Sequence, residues 1–322
     1  MTRLREEGRA ARSIVVALGG NALQPAGEGG EIHQQFAHTR DSLGAVVALA
    51  RDGWRIAIVH GNGPQIGDEL LRNELARERR PPLPLGVLVA ATAGWIGYMI
   101  QQSLQNALAR AGVDRPVVTL ITQVVVDPNA EATRTPTKPI GHVMHEESAR
   151  ALAAAYGWAI QATGDGGWRR IVPSPIPLEI VERDEIRQLI SDGVIVVAAG
   201  GGGTPVYRDR QGPLEGVDAV IDKDRAAAVL ARDLSAEVLL ILTNVDGVHA
   251  EWGTPRQHLI RSLRVAEADR MIAAGNLPAG SMRPKVEAAA AFVRESGGRG
   301  VIARLDRGIE AVHGSDGTEV VR

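Results

Sequence analysis

Three lysines stand apart in a chain that otherwise uses arginine: Lys138, Lys223 and Lys285 are the only lysines among 36 basic residues. A lysine is a compact, strongly hydrated point charge, whereas arginine is a planar fork, so scarce lysines mark places where the compact charge is needed. One of them lies between two acids in Val220-Ile221-Asp222-Lys223-Asp224-Arg225. Ammonium groups of this kind suit phosphoryl transfer, in which the protein mainly places positive charge on the transferring group, usually beside Mg2+. Lys223 and Lys285 both fall near expected helix starts, where unpaired backbone N–H groups add to the attraction for phosphate. Asp222 or Asp224 would hold the ammonium groups in position, and Asp222 could also reach a metal. The same acids are common helix caps, a role that needs no lysine between them.

Three glycine loops add to the phosphate argument. Gly19-Gly20-Asn21, Gly61-Asn62-Gly63-Pro64-Gln65 and Gly200–Gly203 each follow an apolar run. Such loops expose backbone N–H groups with no Cβ in the way, so an anion can approach closely. One loop alone fits any tight strand-to-helix turn equally well. Three of them beside three isolated lysines favour phosphate, and Gly201 and Gly202 join the candidates. No Walker-type P-loop is present, and Gly61–Gly67 has one residue too many and a proline for a dinucleotide fingerprint, so an NAD-dependent oxidoreductase is a poor second. The eight histidines, including His60 at a strand end and the His142/His145 pair, read as non-catalytic. With no cysteine, thiolate chemistry, disulfides and Cys-ligated zinc are excluded. A net charge of −2 gives no electrostatic case for nucleic acid or membrane, which leaves small molecules as partners.

The elements that must position these groups follow from periodicity. Short β-branched runs alternate with longer Ala/Leu-rich stretches, the pattern of a mainly parallel α/β sheet covered by helices. Strands are expected at Ser13–Leu18, Arg55–His60, Val117–Val126, Val194–Ala199, Val238–Leu242 and Gly300–Ala303. Helices are expected at 37–52, 65–79, 87–112, 146–156, 184–192, 224–233 and 285–296. Ligands of open α/β sheets lie beyond the carboxyl ends of the strands, where all three glycine loops fall. Residues 1–12 read as an extension and 13–322 as one domain. An inserted lid subdomain is expected over about 127–177, its first part irregular. No apolar run reaches membrane-spanning length, and the charged start lacks a signal-like core, so a cytoplasmic protein is expected.

With these features in place, the chain resembles the carbamate kinases of the amino acid kinase superfamily. The resemblance runs from about Val15 to the end through VVALGGNAL, VHGNGPQIG, WIGYMIQQSL, TQVVVDPN, PTKPIG, GWRRIVPSPIP, AAGGGGTPV, AVIDKD, LLILTNVDGV and GSMRPKVEAAAAF in family order. It implies a three-layer α/β/α sandwich with a protruding subdomain, a homodimer, and reversible transfer between ATP plus carbamate and ADP plus carbamoyl phosphate with Mg2+. Lys223 and Lys285 would stabilise the transferring phosphoryl group, Lys138 would reach in from the lid, and Asp224 would organise the lysines. Gly19, Gly20, Asn21, Gly61, Asn62 and Gly63 would surround carbamate and the γ-phosphate. Thr243, Asn244, Val245, Asp246, Gly247 and Val248, with Met282, would hold the nucleotide.

Two places depart from the family pattern: Ala93 stands where a glutamine is expected, and the lid reads GHVMHEE where an aromatic more often precedes the acidic pair. A kinase of the same fold acting on another small carboxylate and a nucleotide-binding regulator without turnover therefore stay beside the main reading. The stretch Gly94–Ala111, apolar on one face and rich in Gln and Asn, is the expected dimer surface.

Overall fold

In a computed structural model, which describes residues 12–24, 30–164, 166–209, 212–278 and 281–322, the strand Ser13–Leu18 shows how the architecture arises. Its residues are apolar without interruption because both faces of the strand are covered. Ile14, Val16 and Leu18 pack into one hydrophobic cluster, with Leu49, Trp54, Ile96 and Met99. Val15 and Ala17 face the opposite cluster, with Ala227, Leu230, Val286 and Phe292. The strand's period of two therefore feeds two cores, and the result is a sheet between two helical layers.

That sheet has eight strands, in the order Ser262–Arg264, Thr318–Val321, Arg299–Arg304, Val238–Thr243, Ser13–Leu18, Arg55–His60, Ile195–Val197 and Val117–Thr119. Its one antiparallel pairing joins Arg299–Arg304 to Thr318–Val321. The expected mainly parallel α/β sandwich is the observed fold. The parallel strands bring Leu18, His60 and Leu242 to adjacent rows, so the loops after them open on one rim.

Local structure departs from the expectation in four places. Val117–Val126 is two strands: Val117–Thr119 closes the main sheet, and Gln123–Val126 joins a second sheet with Thr204–Arg208 and Pro177–Ile180. The break at Leu120–Thr122 lets Thr122 Oγ1 accept a hydrogen bond from the Ala199 N–H at 3.0 Å. The expected helix at 37–52 is two helices, Ile32–Ser42 and Gly44–Arg51, parted at Leu43. The helix expected from 285 begins at Met282.

The fourth departure is the inserted segment, which is ordered where irregular chain was expected. Strands Pro136–Met144, Trp168–Pro173 and Ile160–Ala162 form a small antiparallel sheet, beside a helix at Glu146–Tyr156 that ends on left-handed Gly157. The strand had no visible alternation because it carries two prolines and a glycine. Its Ile140, with Val172, is buried among Ile66, Leu70, Leu88, Val89 and Val220 of the body. Each such side chain contributes roughly 1.5–3 kcal/mol when fully buried, which seats the insertion on the body. Residues 1–11 of the expected N-terminal extension lie outside the described residues.

Candidate active site

The site is built on the first turns of two helices. Helix Lys223–Asp233 is capped by Asp222, whose Oδ1 accepts the N–H groups of Asp224 at 2.9 Å and Arg225 at 3.2 Å. The capping role of this acid and its chemical role turn out to be compatible, because its other oxygen, Oδ2, receives Lys138 Nζ at 2.9 Å. Asp224, in the same first turn and only 2% exposed in its side chain, accepts from two more lysines. Lys223 Nζ lies 2.8 Å from its Oδ1 and Lys285 Nζ 2.9 Å from its Oδ2. Lys285 stands in the opening turn of helix Met282–Ser296, and Glu287 of that helix receives Arg225 at 2.9 Å and Arg283 at 2.8 Å. All three lysines singled out by scarcity thus converge on the two acids of Asp222-Lys223-Asp224.

Three ammonium groups against two carboxylates leave one net positive charge at a largely buried position, ready for an anionic ligand. Burial pushes the Asp222 carboxyl up, but Lys138 and Lys223 outweigh it and hold the group well below the usual carboxylate range. Burial likewise opposes the charge on Lys223, yet Asp224 and Asp222 together raise its pKa. Lys285 goes the other way: burial and the charge of Lys223 lower its pKa, and Asp224 only partly offsets them. Of the two ammonium groups on Asp224, Lys285 is therefore the more easily discharged. His60 is fully buried, and desolvation drops it to about 4, so it is neutral and no cation at neutral pH.

Two of the three lysines, Lys223 and Lys285, line a cavity of about 370 Å3 together with Gly19, Gly20, Asp222 and Asp224, and Lys138 stands behind it on Asp222. Thr243, Asn244, Val245, Gly247 and Met282 line it as well. Gly61 stands directly behind this lining: a Cβ there would lie 3.1 Å from both Gly20 N and Lys223 Cδ. Asn62 is 2% exposed and donates to Thr92 Oγ1 at 2.9 Å. Gly201, with φ +68°, packs on the Asn62 amide, and Gly202, with φ +94°, on the Ile221 carbonyl. Asn62, Gly63, Gly201 and Gly202 thus support the loops behind the cavity and do not line it. Val248 is buried, and Asp246 is turned toward His249, 3.4 Å away. The Asn21 side chain lies outside the described residues. Ala93 is 3% exposed and sits beneath Gly200, whose Cβ would come within 2.9 Å of the Ala93 Cβ, so this departure from the family pattern falls behind the cavity too.

Reasoning from sequence missed His249, Trp252, Leu277, Pro278 and Ser281, which also line the cavity. His249 and Trp252 meet edge to face, with ring centroids 5.4 Å apart. The scarcity argument that found the lysines would have found Trp252, since only five tryptophans occur in the chain. Leu277 and Pro278 carry no comparable signal.

A cavity lined by two ammonium groups and by apolar and aromatic side chains such as Val245, Trp252, Leu277 and Met282 suits a ligand that carries phosphates and a flat heterocycle. Known proteins agree with this reading. The amino acid kinase family model matches residues 12–304. A carbamate kinase of Pyrococcus horikoshii is 42% identical over 309 residues, 95% of this chain and 98% of that protein. A carbamate kinase of Thermococcus kodakarensis is 43% identical over 314 residues, 97% of this chain and 99% of that protein. Among solved structures, the carbamate kinase of Giardia lamblia bound to AMP-PNP superimposes with a TM-score of 0.87 at 36% identity, covering 97% of this chain and 99% of that one.

Proposed function

The chain belongs to the amino acid kinase family and, within it, to the carbamate kinases, and from that footing we propose that it transfers a phosphoryl group reversibly between ATP and carbamate. The observation that carries the reading is the Asp224 carboxylate holding Lys223 and Lys285 side by side in the lining of the cavity. Charge on a transferring phosphoryl group spreads over its outer oxygens, and fixed ammonium groups there stabilise it without reorganising during the reaction.

Carbamate is already anionic and needs no general base, so His60, buried and neutral behind the site, is not required as one. Lys138 supplies a third charge from the insertion, which acts as a lid over 127–177. Gly19, Gly20 and Asn21, backed by Gly61, Asn62, Gly63, Gly201 and Gly202, shape the phosphate and carbamate end. Thr243, Asn244, Val245, Gly247 and Met282 hold the nucleotide, backed by Asp246 and Val248.

Mg2+ would arrive on the nucleotide phosphates. No group of three His, Asp or Glu side chains converges among the described residues, and both Asp222 oxygens are engaged, one by Lys138 and one by backbone N–H groups. Bound there, the ion would offset phosphate charge, while the positioning falls to the lysines.

No helix among the described residues is long and apolar enough to cross a membrane. A cytoplasmic twofold homodimer fits the outer surface around Gly94–Ala111. The helix Leu85–Arg110 packs its apolar face on the sheet, but Tyr98 and nearby Ile121 remain 55% and 48% exposed beside the edge strand Val117–Thr119. Light scattering at micromolar concentration should give twice the chain mass.

The decisive assay supplies purified protein with Mg-ADP and carbamoyl phosphate and measures ATP. Formation of ATP supports the reading. ADP binding with no turnover would point to a regulator, and turnover only with another acyl phosphate would point to a different small carboxylate.

A further inference from the structure

We infer that the contact between His142 and Asp68 is a second anchor of the insertion that positions Lys138 during phosphoryl transfer; this rests on the reading of Lys138 as the charge delivered by the lid. Strand Pro136–Met144 meets the body at three successive side chains. Lys138 reaches Asp222 at 2.9 Å, Ile140 is fully buried in the body's cluster, and His142 Nε2 stands 3.2 Å from Asp68 Oδ1 and 3.3 Å from the Gln24 side-chain amide. With its proton on Nε2 the imidazole donates to Asp68, and the Gln24 contact is then one of proximity only, because the Gln24 Nε2 facing it is itself a donor.

Between the last two contacts the backbones touch. A Cβ on Gly67 would lie 2.1 Å from Gly141 Cα, and Gly141 itself adopts φ +71°. No side chain separates the strand from the helix there, so a shift of the strand cannot be absorbed by rotamer changes. Asp68 and Gly67 belong to helix Gly63–Leu75, which continues directly from Gly61 and Asn62. Gly61 in turn packs on Gly20 and Lys223. The anchor therefore references the insertion to the same rigid element that shapes the phosphate end of the cavity.

Its importance arises in turnover. When Lys138 turns to the phosphoryl group it gives up its bond to Asp222, and the strand is then held by the Ile140 foot and the His142–Asp68 contact. The two side chains are 45% and 32% exposed, so the contact adds little to stability, since even ion pairs at such exposed positions add little. Misplacing a catalytic charge by a fraction of an ångström is costly in rate all the same.

The test uses His142→Ala, Asp68→Ala and His142→Gln, the last of which keeps a side-chain N–H donor, in the full chain. The first two should lower kcat about three- to tenfold with the KM for ADP and the thermal midpoint unchanged, and His142→Gln should recover part of the loss. In a Lys138→Ala background, His142→Ala should add little further loss, because its effect runs through the lysine. Unchanged kcat in both alanine variants, or an equal loss with and without Lys138, would overturn the anchor. Full activity of Lys138→Ala alone would overturn the lid reading itself, and the anchor with it.

Discussion

Asp224 and Lys285 lie 61 residues apart in sequence, yet the carboxylate of one and the ammonium of the other meet at 2.9 Å, with the Asp224 side chain 2% exposed. The same carboxylate faces Lys223 through its second oxygen at 2.8 Å. Removing it leaves two buried ammonium groups facing each other. Asp224→Asn should therefore destabilise the fold by roughly 3–5 kcal/mol, as loss of one partner of a buried pair does. Turnover should collapse in the same variant. A thermal midpoint equal to that of the parent would show that the lysines are not held by this group.

Lys223→Arg keeps the charge and changes its shape. The space is closed on one side, since a Cβ on Gly61 would already lie 3.1 Å from Lys223 Cδ. A planar fork cannot take the place of the compact ammonium, and turnover should fall at least about tenfold while the protein stays folded. Undiminished ATP formation in a stable variant would remove Lys223 from the catalytic set.

The lowered pKa of Lys285, caused by burial and by Lys223, makes it lose its proton before Lys223 as pH rises. Since the charged form is the active one, kcat should decline on the alkaline side beginning below the about 10.4 of an ordinary lysine. Lys285→Arg, slower overall, should lose that decline because guanidinium stays charged. An identical alkaline limb in both proteins would assign the titration elsewhere.

Acid stability should follow His60. Its pKa is about 4 in the fold against 6.5 when free, so below 6.5 the unfolded chain binds a proton that the folded chain refuses. Stability is then complete above about pH 6.5 and falls as pH drops toward about 4, by roughly 3 kcal/mol in all. Denaturant titrations across that window should show a shallower pH slope in His60→Gln than in the parent. Parallel slopes would mean that other groups govern the acid side.

Sequence alone determined a good deal of this protein. Residue scarcity selected Lys138, Lys223 and Lys285, and uninterrupted apolar runs located the central strands such as Ser13–Leu18 and Arg55–His60. The glycine loops and the ordered motifs indicated phosphoryl transfer before any contact was known. These signals are local: periodicity, capping and side-chain chemistry act within a few residues and can be read in order. Tertiary structure alone decided which acid serves which lysine, because Lys138–Asp222 and Lys285–Asp224 span 84 and 61 residues and depend on how whole elements pack. It also split Val117–Val126 between two sheets, since a continuous β-branched run does not reveal where its hydrogen-bonding partners change. The seating of Gly141 on Gly67 and of His142 on Asp68 is likewise a product of packing. A glycine is conspicuous in a sequence, but the backbone it admits is known only when the other chain segment arrives.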